Sequence, residues 1–143
     1  MSRVDVDTSK WPVVWMNFPP EVTPQDLSDL YVSLNSCAQR GRHVQVVDFT
    51  KNDPLKTPAT VRTHAASLER EFIAQHGSVV IGEAYIVKSA LSRGILTAYH
   101  WLRGHAPWPT RMFAKTDDAL DWAKGLLRKE LGFSSDSSTE VRP

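Results

Sequence analysis

The chain has one cysteine, Cys37, in 143 residues. That excludes an intramolecular disulfide and any zinc site built from several thiolates. Charge of one sign is also lacking: 17 Lys and Arg stand against 16 Asp and Glu, for a net charge of +1. A nucleic-acid or membrane-surface protein would carry a basic face, so neither partner is expected. Long hydrophobic runs are missing too. The longest apolar region, Ser78 to Leu102, is interrupted by Glu83, Lys88 and Arg93 and is not a membrane span. The opening Met1-Ser2-Arg3-Val4-Asp5 has no apolar signal core, which makes the cytoplasm the expected compartment.

Glycine is sparse, with seven residues. No Walker-type phosphate loop, no Gly-x-Gly-x-x-Gly and no Gly-x-Ser-x-Gly elbow can be assembled from them. The five histidines, His43, His64, His76, His100 and His105, never fall at His-x-x-x-His spacing. No metal and no cofactor are expected, and no nucleophile–base constellation stands out, so catalysis is the weakest of the functional readings.

The length suits a single domain with a real core, and 41% hydrophobic with 23% charged residues is an ordinary globular balance. Organisation centres on residues 43–58. His43-Val44-Gln45-Val46-Val47 is β-branched and apolar, hence a buried strand. Asp48 opens a polar loop, and Thr57-Pro58 reads as a helix start with the hydroxyl as N-cap. The carboxyl end of such a strand is where open α/β sheets usually bind ligands and partners.

Before it, Arg3 to Thr8 and Val13 to Phe18 read as two strands of an antiparallel hairpin, stopped by Pro19-Pro20. Thr23-Pro24-Gln25-Asp26 starts a helix with Leu27, Leu30, Tyr31, Leu34 and Ala38 at helical spacing, ending near Arg40-Gly41. After the loop, Thr60 to His76 is helical, with Val61, Ala65, Leu68 and Phe72 on its buried face. Ser78 to Val87 is apolar on both faces, an interior strand. Ser89 opens a third helix carrying Ala90, Leu91, Gly94, Ile95, Ala98 and Leu102. Thr110 to Ala114 is a short strand near an edge, and Thr116-Asp117-Asp118 caps a last helix that buries Ala119, Leu120, Trp122, Ala123, Leu126 and Leu127. The order β-β-α-β-α-β-α-β-α implies parallel pairing after the hairpin, in one domain over residues 1–133. Residues 134–143 form a polar tail expected to be disordered.

The candidate site residues lie on the rim of the sheet. Asp48 could bind a cation or act as a base, with Asp53 as a potential acid partner, and more simply accepts backbone amides in its own turn. Thr57 is either a plain cap or a phosphorylation switch at a helix N-terminus, with Thr50 as a weaker alternative and Lys56 beside it. Ser89 opens the next helix on the same rim. Tyr99, Trp101 and Trp108 form an aromatic group able to line a ligand pocket or an interface. Cys37, on the buried stripe of the first helix, is expected to be inert.

Val46-Val47-Asp48-Phe49-Thr50, the loop, and Thr57 at a helix opening resemble the STAS domain of anti-sigma factor antagonists, and more closely the small bacterial STAS-like, SpoIIAA-like proteins. Ala84-Tyr85-Ile86-Val87 before a helix, Arg111-Met112-Phe113, and Thr116 to Trp122 extend the resemblance over about residues 3 to 131. It implies an α/β fold, a mixed, mostly parallel sheet of about five strands with four main helices. It also implies a non-enzymatic regulatory or scaffolding role without cofactors. The better-known branch has Asp before and Ser-Gly after the phosphorylatable residue; here Lys56 and Pro58 flank Thr57. The expected function is thus binding of a protein partner through the loop and helix start after the central strand. The alternative is binding of a small ligand, a lipid or nucleotide, near Tyr99, Trp101 and Trp108. Sheet edges and spare tryptophans also permit a homodimer.

Overall fold

The computed structural model describes residues 3–132. Its elements are β1 (Asp5–Lys10), β2 (Val13–Asn17), α1 (Pro24–Arg40), β3 (His43–Asp48), a 3-10 turn (Pro54–Lys56), α2 (Ala59–His76), β4 (Val80–Ile86), α3 (Ala90–Arg103), β5 (Thr110–Phe113) and α4 (Thr116–Leu131). The five strands lie side by side in chain order. β1 pairs antiparallel with β2, and β2, β3, β4 and β5 pair in parallel. The order, the hairpin and the edge position of β5 are as the hydrophobic patterning predicts. The expected tail, residues 134–143, lies outside the described residues.

Period-two alternation sends side chains to two faces of this sheet. Val14, Met16, Val47 and Tyr85 point into the core beneath α1 and its neighbours. Val44, Val46, Ala84 and Ile86 point into a second core beneath α4. The two central strands are covered on both sides, which is why β3 and β4 read as nearly continuous apolar runs. Gly82 lies on the α4 face. A Cβ there would collide with Leu126 Cδ1, so the missing side chain lets α4 seat closely on β4.

α1 starts as predicted. Thr23 Oγ1 accepts from the Asp26 amide at 3.1 Å, and Asp26 Oδ2 accepts from the Thr23 amide at 2.9 Å. This reciprocal box also takes a 2.8 Å ion pair from Arg3 Nη2.

α2 starts differently. Pro58, not Thr57, is the N-cap, and Thr57 instead closes the 3-10 turn, its amide donating to the Pro54 carbonyl. A residue before proline is pushed out of the helical region, and Thr57 accordingly sits at φ −116°, ψ 91°. Its hydroxyl is therefore not spent on capping. α4 likewise has Lys115 as N-cap, with Asp117 and Asp118 in the first turn rather than capping by side chain.

Candidate functional site

The strand-end loop is tied down from both sides. Asn52 Nδ2 donates to the Pro19 carbonyl at 2.9 Å, and the Asp53 amide donates to the Pro20 carbonyl at 3.0 Å. The stop after β2 thus holds the loop after β3. Asp48 Oδ1 accepts from the Thr50 amide at 2.9 Å, and Asp53 Oδ1 from the Leu55 amide at 3.0 Å. Both carboxylates are occupied as turn acceptors. Thr50 and Lys56 are exposed. Ser89 caps α3, accepting from the Ser92 amide at 3.0 Å.

Behind this rim a cleft of about 130 Å³ opens between the sheet and α1, α2 and α3. Met16, Val47, Phe49 and Tyr85 form its sheet side. Leu30 and Leu34 close it from α1, Val61 and Ala65 from α2, and Ile95 and Leu96 from α3. Asn52, Pro54, Thr57 and Arg62 border it from the loop side. The Thr57 Oγ1 atom is shielded from solvent and has no hydrogen-bond partner. Arg62 Nη1 donates to the Thr57 carbonyl at 2.5 Å, fixing that residue's backbone against α2.

Elsewhere the lining changes character. Gln45, Glu69 and Glu83 border the same cleft from β3, α2 and β4, and all three are buried. Arg103 Nη1 donates to Glu69 Oε2 at 3.0 Å and to Glu83 Oε1 at 3.2 Å. Trp108 Nε1 donates to Glu83 Oε1 at 3.3 Å, and the Tyr99 hydroxyl to Glu69 Oε1 at 2.6 Å. Buried charges survive only when paired and hydrogen-bonded in this way. The pairing is uneven, with two carboxylates to one guanidinium. Burial, and then the neighbouring Glu69 charge, push Glu83 up to about 7. Burial also drives the hydroxyls of Tyr31, Tyr85 and Tyr99 well above the usual tyrosine range. Gln45 is held by its neighbour: Gln45 Nε2 lies 3.2 Å from His43 Nε2, while His43 Nδ1 lies 2.9 Å from the Gly41 carbonyl. A carbonyl can only accept, so Nδ1 carries the proton and Nε2 accepts from the amide.

The aromatic trio divides. Tyr99 lines the cleft, and Trp108 stands behind Glu83, only 5% exposed. Trp101 is 85% exposed and is not among the residues lining the cleft. Sequence patterning misses Glu69, Glu83 and Arg103 as site residues. Their signal was a charge placed on an otherwise apolar face: Glu83 in mid-strand, Glu69 between Ala65 and Phe72, Arg103 in the last turn of α3. Among the described residues no three His, Cys, Asp or Glu side chains converge to hold a metal, and no helix is long and apolar enough to cross a membrane.

No protein-family model and no curated protein matches the chain. The backbone is similar to a solved structure from Shewanella loihica PV-4, an uncharacterised protein of the DUF3478 family with a SpoIIAA-like fold. The TM-score is 0.57 at 23% identity, over 84% of this chain and 91% of that one. At that identity the likeness speaks for fold. With five strands in one mostly parallel sheet and four helices around it, this chain has the SpoIIAA-like fold that its strand, loop and helix signatures resemble.

Proposed function

We propose that this domain is a non-catalytic binding module that holds a small, mainly apolar molecule between its sheet and α1, α2 and α3. The cleft carries this reading. It is apolar over most of its wall, with a few convergent polar groups, the usual make-up of a small-molecule site. Its size narrows the ligand. A cavity of about 150 Å³ lined by aliphatic and aromatic side chains holds one benzene, and this cleft measures about 130 Å³. One ring or a short alkyl chain fills it. Toluene tests it. Methyl resonances of Leu30, Val47 and Leu96 should shift on titration, and Ala65→Phe, which fills the cleft from α2, should abolish the shifts while the protein still unfolds cooperatively. Toluene that leaves those methyls unmoved would sink the proposal.

A second reading, capture of a protein partner across the rim, is favoured by Leu55. This residue sits at the centre of the 3-10 turn, 80% exposed, between Asp53 and Lys56. A partner bound there should be lost on Leu55→Asp with the fold intact, and an unchanged complex would remove the rim from the account.

A further inference from the structure

We infer that the ligand of this cleft carries a protonated amine, seated on the carboxylates of Glu69 and Glu83 with its apolar body along Val47 and Phe49. The inference rests on the cleft being the binding site and names the chemistry of what binds there.

The arrangement of the charges points to it. Glu69 and Glu83 border the cleft, whereas Arg103 and Trp108, which donate to them, are not part of its wall. A molecule in the cleft therefore lies against Glu69 and Glu83, while Arg103 stands outside the wall. An anionic head would face two acids; a cationic head would bring the cluster to two positive against two negative charges. Arg62 is the only basic side chain among the lining residues, and it lies on the loop side, engaged with the Thr57 carbonyl. A second observation concerns the loop side of the cleft: the Thr57 hydroxyl borders it, shielded from solvent and without a hydrogen-bond partner. A buried polar group of that kind is seldom left without a partner.

The acid surplus also explains how Glu83 is accommodated in the fold. The groups facing Glu83 are Glu69 of α2, Tyr99 and Arg103 of α3, Tyr31 of α1, its strand neighbour Tyr85, and the Gln45–His43 pair of β3. Arg103 is the one cation among them, and it already serves Glu69. Glu83 takes up a proton instead, its affinity for one being raised to about 7. An amine that arrives protonated replaces that proton: the N–H donates to the Glu83 carboxylate, and the carboxyl proton leaves to solvent. Binding at pH 6 should release up to one proton. Affinity should rise with pH, by up to about tenfold per unit, until Glu83 is ionised in the free protein.

Three probes of nearly one size separate the possibilities: benzylamine, toluene and benzoate. Calorimetry on the full chain should find benzylamine bound more tightly than toluene, and benzoate not bound. Glu83→Gln should weaken benzylamine by about tenfold to a hundredfold and leave toluene unchanged. Benzylamine held no more tightly than toluene, or equally by wild type and Glu83→Gln, overturns the inference while leaving the cleft as a site. Failure of all three to bind overturns the site itself. Should Glu83→Gln not fold, wild type decides alone: tighter benzylamine with proton release at pH 6 supports the inference, and benzoate binding as well as benzylamine refutes it.

Discussion

Two buried acids have opposite effects on stability as pH changes, and single residues show why. Burial alone would raise Asp26, but hydrogen bonds from Arg3 and Thr23 hold it well below the usual carboxylate range. A depressed native value means that Asp26 stabilises the fold above the unfolded value near 3.9, and that this contribution is lost as pH falls below it. Asp26→Ala should cost about 1–2 kcal/mol at pH 7, chiefly through the lost capping box, and much less near pH 2. Urea melts at the two pH values measure this. Glu83 runs the other way. Its native value of about 7 exceeds the unfolded one, so the folded state binds the extra proton and stability falls as pH rises from about 4.5 to 7. Glu83→Gln should therefore unfold later than wild type at pH 8, by roughly 3 kcal/mol, and match it near pH 4.5. A variant less stable at pH 8 than at pH 4.5, relative to wild type, would contradict the uneven pairing with Arg103.

At the scale of the element, α3 is the least expected part. Its apolar residues are numerous, yet only Leu96 and Arg103 are buried, while Leu91 and Leu102 are about half exposed and Trp101 almost wholly so. Helical periodicity locates a stripe but cannot say which stripe meets the sheet. The side that packs here carries Leu96, Tyr99 and Arg103: the Tyr99 hydroxyl finds Glu69, and the Arg103 guanidinium finds Glu69 and Glu83. The two tryptophans nearby should thus respond differently to substitution. Trp101→Ala should change stability by no more than about 0.5 kcal/mol. Trp108→Ala should cost about 3–5 kcal/mol, with Trp108→Phe isolating the indole donor to Glu83. Equal effects of the two alanine variants in thermal melts would refute the placement. On the other face, Gly82→Val should cost about 1–3 kcal/mol by driving a side chain into Leu126.

For the whole molecule, the pH behaviour is a sum of opposed slopes. Burial and then the Arg103 charge push His100 down to about 4. The unfolded state then binds the proton first, and stability rises with pH between about 4 and 6.5. That window overlaps the falling window of Glu83. Wild-type stability should be nearly flat from pH 4.5 to 6.5, and Glu83→Gln should unmask a rise with pH. Flat profiles for both proteins would show that folding shifts neither Glu83 nor His100.

The chain's own pattern determined the layer structure. Apolar, β-branched runs at Val13 to Asn17 and His43 to Asp48, helical stripes in α1 and α4, and stops at Pro19-Pro20 and Gly41 each act over a few residues, so they are legible without a partner element. They sufficed for element order, strand pairing and the resemblance to a SpoIIAA-like domain. The cleft was not legible in that way. Asp48, Thr57 and Ser89 were visible because turns and caps are local; their roles in the fold are local as well. Glu69, Glu83 and Arg103 lie on three elements, 14 and 20 positions apart along the chain, and each alone looks like an interruption of an apolar face. Only the packing of α2 and α3 onto β4 makes them one cluster, because a buried charge is tolerable only where the fold delivers its counter-charge.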